Sequence, residues 1–230
     1  MTQQHPESAG TAADGAGPAL GVEPGAESGT GSGAGGIRPV PAKAGKPSMR
    51  ERIIEAATEL FYTQGIRAVS AEKIIARVGI TKVTFYRHFP TKDELIVAYL
   101  ERRAQWERDA VGGARAAAAG DASEVFRMVA EGIGAESCSP GFRGCPFINA
   151  AAEYADAEHP VRKVVDAHRR WFKDVIEEML QQIGVVDVSD VADQLVMLRD
   201  GAMVGGYLGD PRTIARSLYN AGRAVIKVHG

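Results

Sequence analysis

The chain has 230 residues, 45% of them apolar, a net charge of -2 and two cysteines. That is enough apolar material for a sizeable core, no run of it approaches the roughly eighteen residues of a membrane span, and two cysteines are too few for a disulfide framework. The start MTQQHPESAG has neither the basic nor the apolar segment of a secretory signal, so a soluble cytoplasmic protein is expected.

Charge is unevenly spread. Residues 1–46 hold four acids and three bases, residues 47–95 six acids and eight bases, and the remainder nineteen acids and sixteen bases. A modestly basic segment therefore precedes a modestly acidic body, which suits a small polyanion-binding module joined to a domain with another task.

Residues 1–47 carry eleven glycines among alanine, serine and proline, with almost no large apolar side chain. Such a segment cannot bury enough surface to offset the entropy of ordering, and a disordered tail is expected. Arg38, Lys43, Lys46 and Arg50 near its end read either as an arm that brushes a phosphate backbone or, closer to what composition favours, as part of a solvated linker.

Structure is expected from Ser48. Ile53, Ile54, Ala57, Leu60 and Phe61 repeat at helical spacing, with Ser48 as cap and Gly65 as the terminating glycine. Ser70 caps a second helix over 71–78 with Ile74, Ile75 and Val78 inward; Gly79 and Ile80 turn the chain, and Thr81 caps a third helix from Lys82 to about Phe89. Two short helices about a glycine turn make a helix-turn-helix over about 70–89. In the third, Phe85 and Phe89 share an inward face, while Lys82, Thr84, Tyr86 and Arg87 fall mostly elsewhere. A first turn of Thr81, Lys82, Val83 and Thr84 suits a major groove: a cation for guanine acceptors or phosphate, and methyls for thymine. Thr91-Lys92-Asp93-Glu94 reads as a capping box for a fourth helix, placing Lys92 and free amides where a phosphate fits.

The span Arg50 to Leu95, with ELF, a following glycine and VGITKVTFYRHFPTKDEL in that order, resembles the DNA-binding domain of the TetR/AcrR family of bacterial transcriptional regulators. The resemblance covers about fifty contiguous residues, and TFYRHFPTKDEL running into the fourth helix makes it specific. It implies phosphate contacts from Tyr86, His88 and Lys92 and base contacts from Lys82, Val83 and Thr84; with Ser70, Thr81 and Arg87 these form the candidate DNA-contacting set. Val83 stands where the family often has glycine, alanine or proline, and Phe85 where leucine is usual, departures that bear on which operator is read. Weighed on spacing alone, the cationic run is as well read as a solvated face covering a helix junction.

The rest also reads as helical, giving an all-α fold: a helix-turn-helix domain at 48–95 and a C-terminal body at 96–230. Asp121-x-x-Glu124 caps a helix bearing Val125, Phe126, Val129 and Ile133; ESCSPGFRGCP breaks the chain before a helix near Pro146. Pro160 opens a wide apolar stripe running from Val161 to Ile183 and interrupted by His168, as expected of a central helix. The family resemblance implies a small-molecule pocket in this body, for which Cys145, Phe147, Tyr154, His168 and Trp171 are the candidates; a core histidine bonded to a backbone carbonyl is the plainer reading of His168. Asp156, Glu158 and His159 lack metal-ligand spacing, and neither metal nor cofactor is expected.

Cys145 precedes a helix-starting proline with Arg143 two positions away, a setting that favours thiolate; Cys138 is a possible resolving partner, and an inert core cysteine is the alternative. The region also resembles that of family members with a cysteine before this helix, some of which sense reactive compounds. No histidine and carboxylate can be paired with Cys145 from sequence, so an enzymic nucleophile is not expected. Finally, the helices at about 190–208 and 211–228 look built for association, with a pair packed only within its own subunit as the alternative. In the first, Ala192, Leu195, Val196, Met203 and the small residues Gly201, Ala202, Gly205 and Gly206 admit a close neighbour, and Ile214, Ala215, Leu218, Ala221 and Val225 line the second. The resemblance implies a homodimer through these helices that binds a palindromic double-stranded operator, occupies the bacterial nucleoid when bound, and is released by a small effector. A module that meets protein through its helix-turn-helix is the reading from another class.

Overall fold

The computed structural model describes residues 47–229. The tail expected at 1–47 lies, apart from Pro47, outside them. Nine α-helices and one 3-10 turn make up the described chain: α1 (Met49–Gln64), α2 (Ala71–Val78), α3 (Lys82–His88), α4 (Lys92–Ala117), α5 (Ala122–Ser137), α6 (Pro146–Glu153), α7 (Pro160–Gln182), α8 (Val188–Leu208) and α9 (Ile214–His229), with the turn at Pro211–Thr213. The all-α architecture with an N-terminal helix-turn-helix is as expected.

Local capping sets the boundaries of the first four helices. The Ser48 hydroxyl accepts from the Glu51 amide and the Glu51 carboxylate accepts from that of Ser48, a complete capping box. Ser70, Thr81 and Thr91 each accept an amide three residues on. At Thr91 the box is half made, because Glu94 accepts the Thr91 hydroxyl at 3.3 Å. Gly79 turns α2 into α3 at φ 74°, ψ 43°, the left-handed conformation that a glycine adopts without a Cβ clash.

Two apolar clusters hold the molecule together. The first joins Ile53, Phe61, Ile74, Phe85, Phe89, Leu95, Ile96 and Leu100 to Phe147, Val161, Val165 and Met203, so α1–α4 share one core with α6, α7 and α8. The second lies further down the body and contains Val125, Ile176, Met179, Leu180, Val191 and Leu195. The first cluster thus crosses from the helix-turn-helix into the body, with side chains of α6, α7 and α8 in the same close-packed interior as those of α1 and α4.

The small residues of α8 admit a close neighbour, and within the subunit part of that neighbour is α5. Ala192, Leu195, Ala202, Met203 and Gly206 are buried inside the subunit. A Cβ on Gly206 would lie 2.6 Å from the Ser137 hydroxyl oxygen of α5, so these side chains admit a helix of their own chain. The face left exposed carries Met197, Gly201, Val204 and Leu208, spaced along one side of α8, with Val228 exposed on α9. Periodicity located an inward and an outward face without saying which neighbour covers each.

Candidate nucleic-acid interface and regulatory body

Helix α3 is short and needs anchoring. Phe85 and Phe89 are 0% and 1% exposed, with ring centroids 6.4 Å apart, and Phe85 meets Tyr86 edge-on at 5.2 Å. Helix α2 is tied to α1 by the Arg77–Glu59 ion pair at 2.6 Å, by a contact of Lys73 with Gln64, and by Arg52 donating to the Val78 carbonyl at 3.2 Å. With its underside sealed, α3 presents Thr81, Lys82, Val83, Tyr86 and Arg87 outward, with Thr84 and His88 half-buried. Val83 is 80% exposed, a large apolar side chain in water that nothing among the described residues covers.

The polar groups on this face are partly engaged. Thr81 and Thr84 hydroxyls lie 3.0 Å apart, and Lys82 pairs with Glu72 at 2.9 Å, a bond that raises its pKa. The Ser70 hydroxyl caps α2. Two residues differ from expectation. The Lys92 ammonium turns inward, donating to the Ile66 carbonyl at 2.6 Å, and burial lowers its pKa against the pull of Glu153 and Asp93. Arg50, expected in the arm, lies within α1 with its guanidinium 4.9 Å over the Phe89 ring.

The five residues expected around a ligand do not form one group. Phe147 and His168 stack with centroids 3.7 Å apart and planes 10° from parallel, and Trp171 lies 5.3 Å from His168. Trp171 lines a cavity of about 250 Å³ with Trp106, Arg103, Glu107, Glu136 and Arg199. Tyr154 sits elsewhere, at the junction with the helix-turn-helix. Its ring is 4.6 Å from His159 and 5.9 Å from the Arg67 guanidinium, and the neighbouring Glu153 carboxylate accepts the Ile66 and Arg67 amides at 2.9 and 2.7 Å. This clasps α6 to the loop between α1 and α2. His159, beside Asp93 at 3.4 Å, caps α7, and among the described residues no group could hold a metal.

Among the described residues His168 meets a carboxylate rather than a backbone carbonyl. Its Nε2 lies 3.1 Å from the Glu107 carboxylate, and its buried Nδ1 has no partner among the described residues. Glu107 is the hub of a buried polar network. Arg103 donates to it at 2.9 Å and to Glu136 at 2.6 Å, and Arg199 approaches it at 3.5 Å. Burial pushes the Glu107 carboxyl up, but the bond from His168 and the charges of Arg103 and Arg199 outweigh this and hold it at about 2.

Cys145 is drawn into the same network. It is 2% exposed and accepts from Arg199 Nη1 at 3.1 Å, so its cationic neighbour is Arg199; the Arg143 guanidinium is bound to the Thr63 carbonyl instead. Cys138 is exposed at the end of α5. From Cys145 the path continues to α1: the Tyr62 hydroxyl donates to the Gly144 carbonyl at 2.9 Å and accepts from the Arg143 amide at 2.8 Å. Burial raises Tyr62 to about 12, the Arg143 amide opposing. A second cavity of about 530 Å³ lies between α5, α7, α8 and α9.

Sequence reasoning missed Arg103, Glu107, Glu136, Arg199 and Tyr62. The signal was present in part: Arg103 and Glu107 follow Tyr99 and Leu100 at helical spacing, and Arg199 sits between Leu195 and Ala202. Charged residues on an otherwise apolar stripe predict a buried ionic cluster, though not its pairing.

A sealed two-helix motif presenting a polar, cationic first turn defines a helix-turn-helix DNA-binding protein. Comparison agrees. Residues 53–99 match the family model described as "Bacterial regulatory proteins, tetR family". The chain is 30% identical to the HTH-type transcriptional regulator LmrA of Bacillus subtilis over 137 residues, covering 59% of this chain and 72% of LmrA. It superposes on SCO4454, a TetR-family transcriptional regulator from Streptomyces coelicolor, with a TM-score of 0.75 and 42% identity over 78% of this chain and 95% of that one. A TetR-type regulator from Streptomyces avermitilis gives a TM-score of 0.64 and 26% identity, covering 78% and 98%. The chain belongs to the TetR family: it is a DNA-binding transcriptional regulator, not an enzyme.

Proposed function

We propose that the protein is a homodimeric repressor that binds a palindromic operator through α3 of each subunit and is released by a small molecule bound in the body. The observation that carries this reading is the first turn of α3, where Val83 is 80% exposed beside Thr81 and Lys82 on a helix whose other face is fully buried. Val83 and Thr84 offer methyls to thymine, Lys82 exchanges Glu72 for a guanine edge or phosphate, and Tyr86, Arg87 and His88 follow the backbone. Ser70 and Thr81, exposed at the starts of α2 and α3, offer their hydroxyls to phosphate. Lys92 joins the contacts only by leaving the Ile66 carbonyl. Met197, Val204 and Leu208 on α8, with Val228 on α9, form the apolar face that a second copy covers. Effector binding acts on the network that ends at Tyr62, tilting α1 and with it α3; couplings of this kind run to about 1–3 kcal/mol.

Selection of bound fragments from random DNA by the full chain tests this reading. A palindrome is expected to emerge, and enrichment of a single asymmetric half-site or of nothing would count against it. A second reading, thiol sensing, is favoured by the Arg199 contact with Cys145 but requires the 143–145 loop to open first, since the sulfur is buried. A Cys145→Ser protein that still releases DNA on treatment with an electrophile would remove it.

A further inference from the structure

The effector reading leaves the chemistry of the ligand open, and the two cavities of the body differ in the charge they offer. In the smaller, Arg103 and Arg199 face Glu107 and Glu136, and each arginine has a carboxylate within 3.5 Å. Its ions compensate one another. The larger cavity has walls of Phe126, Ile133, Met179 and Ile226, and its charged lining residues are Arg199, Arg223 and Lys227; no aspartate or glutamate is among its described lining residues.

These three cations are not equivalent. Arg199 is buried, shared with the smaller cavity, and paired with Asp200 at 3.2 Å as well as Glu107. Arg223 and Lys227 are exposed, one turn apart on α9, and neither has a carboxylate within 4.0 Å among the described residues; Arg223 lies 5.5 Å from the Tyr219 ring. The uncompensated positive charge of the cavity is therefore on α9, at its solvent side. A cationic ligand meets like charge there. A neutral one gains the apolar walls but makes no use of the two cations, which stay hydrated. An anion with an apolar body uses both, its charged end meeting two cations at the mouth while its body fills the apolar walls. The volume of about 530 Å³ falls within the range of about 300 to 1,000 Å³ of small-molecule sites.

We propose that the larger cavity binds an amphipathic anion of the hydrophobic carboxylate class, its body between α5, α7 and α9 and its carboxylate on Arg223 and Lys227. That this anion is the effector rests on the repressor reading above. The test is calorimetric titration of the full chain with dodecanoate, dodecyltrimethylammonium and dodecanol, each below its micelle concentration. Dodecanoate is expected to bind at least about tenfold more tightly than the other two, and Arg223→Gln with Lys227→Gln to lower its affinity about tenfold while leaving dodecanol unchanged. Both substitutions are at exposed positions, so the fold is retained. Absence of dodecanoate binding, equal binding of the cation or alcohol, or indifference to the double substitution overturns the proposal. Operator affinity measured with each ligand separates the two ideas. If dodecanoate binds without weakening DNA binding, the ligand class stands and the effector reading falls. If the cation binds and releases DNA instead, the ligand class falls and the effector reading stands.

Discussion

Helix α3 and the middle of the body both carry arginine, lysine, histidine and aromatic side chains, yet they treat them in opposite ways. On α3 the apolar residues are sealed underneath and the polar ones stand in water, Lys82 held by a solvent-exposed pair that DNA can replace. In the body, Arg103, Glu107, His168 and Arg199 are enclosed and paired through Glu107, with Cys145 at the edge. An exposed pair is weak and exchangeable, whereas a buried one leaves an uncompensated charge if either partner is removed. The contrast suits a contact surface joined to a preorganised core.

The largest effect that sharpens this contrast is expected from Glu107→Ala, which removes the carboxylate shared by His168, Arg103 and Arg199 and leaves Arg103 with Glu136 and Arg199 with Asp200 alone. A loss of about 3–5 kcal/mol in denaturant unfolding is predicted, against no measurable change for Lys82→Ala. The same network gives stability an acid limb. The Glu107 carboxyl lies at about 2 in the folded chain against an ordinary 4.5, so its contribution is complete above 4.5 and is lost as pH falls towards 2. Glu107→Gln flattens that part of the profile, which urea titrations at stepped pH would reveal.

On the exposed side, Lys82→Ala is expected to change the preferred base at one operator position by roughly tenfold, read from a competition panel of single-base variants. Between the two regions, Tyr62→Phe removes the hydroxyl that joins α1 to the 143–145 loop; a cost of about 1 kcal/mol in unfolding is predicted, together with a weaker effector response of DNA binding. The smallest effect is Glu72→Gln. Freeing Lys82 and removing a negative charge near the phosphates should tighten DNA binding about twofold at low salt.

The same contrast explains what was legible in the sequence. Helices α1 to α4 are bounded by caps made within three residues, so Ser48, Ser70, Thr81 and Thr91 announced them, and Phe85 and Phe89 announced the buried face of α3. The body depends on partners far apart in the chain: Cys145 and Arg199 are 54 positions apart, Glu107 and Arg199 92. No local rule pairs such residues. Tyr154 follows α6 directly in sequence, which suggests the pocket, whereas the turn of the chain at the end of α6 carries it to Arg67 and His159. On α8 the limit is similar, since small residues announce close approach without naming the helix that approaches.

The central claim is that a pair of α3 helices reads one DNA site. Its most direct test is a fluorescence-anisotropy titration of the selected palindrome by the full chain at several salt concentrations. The account predicts saturation at two chains per site, or a multiple of two, and an affinity that falls steeply and linearly with the logarithm of salt concentration. Saturation at one chain per site, or an affinity indifferent to salt, would contradict it.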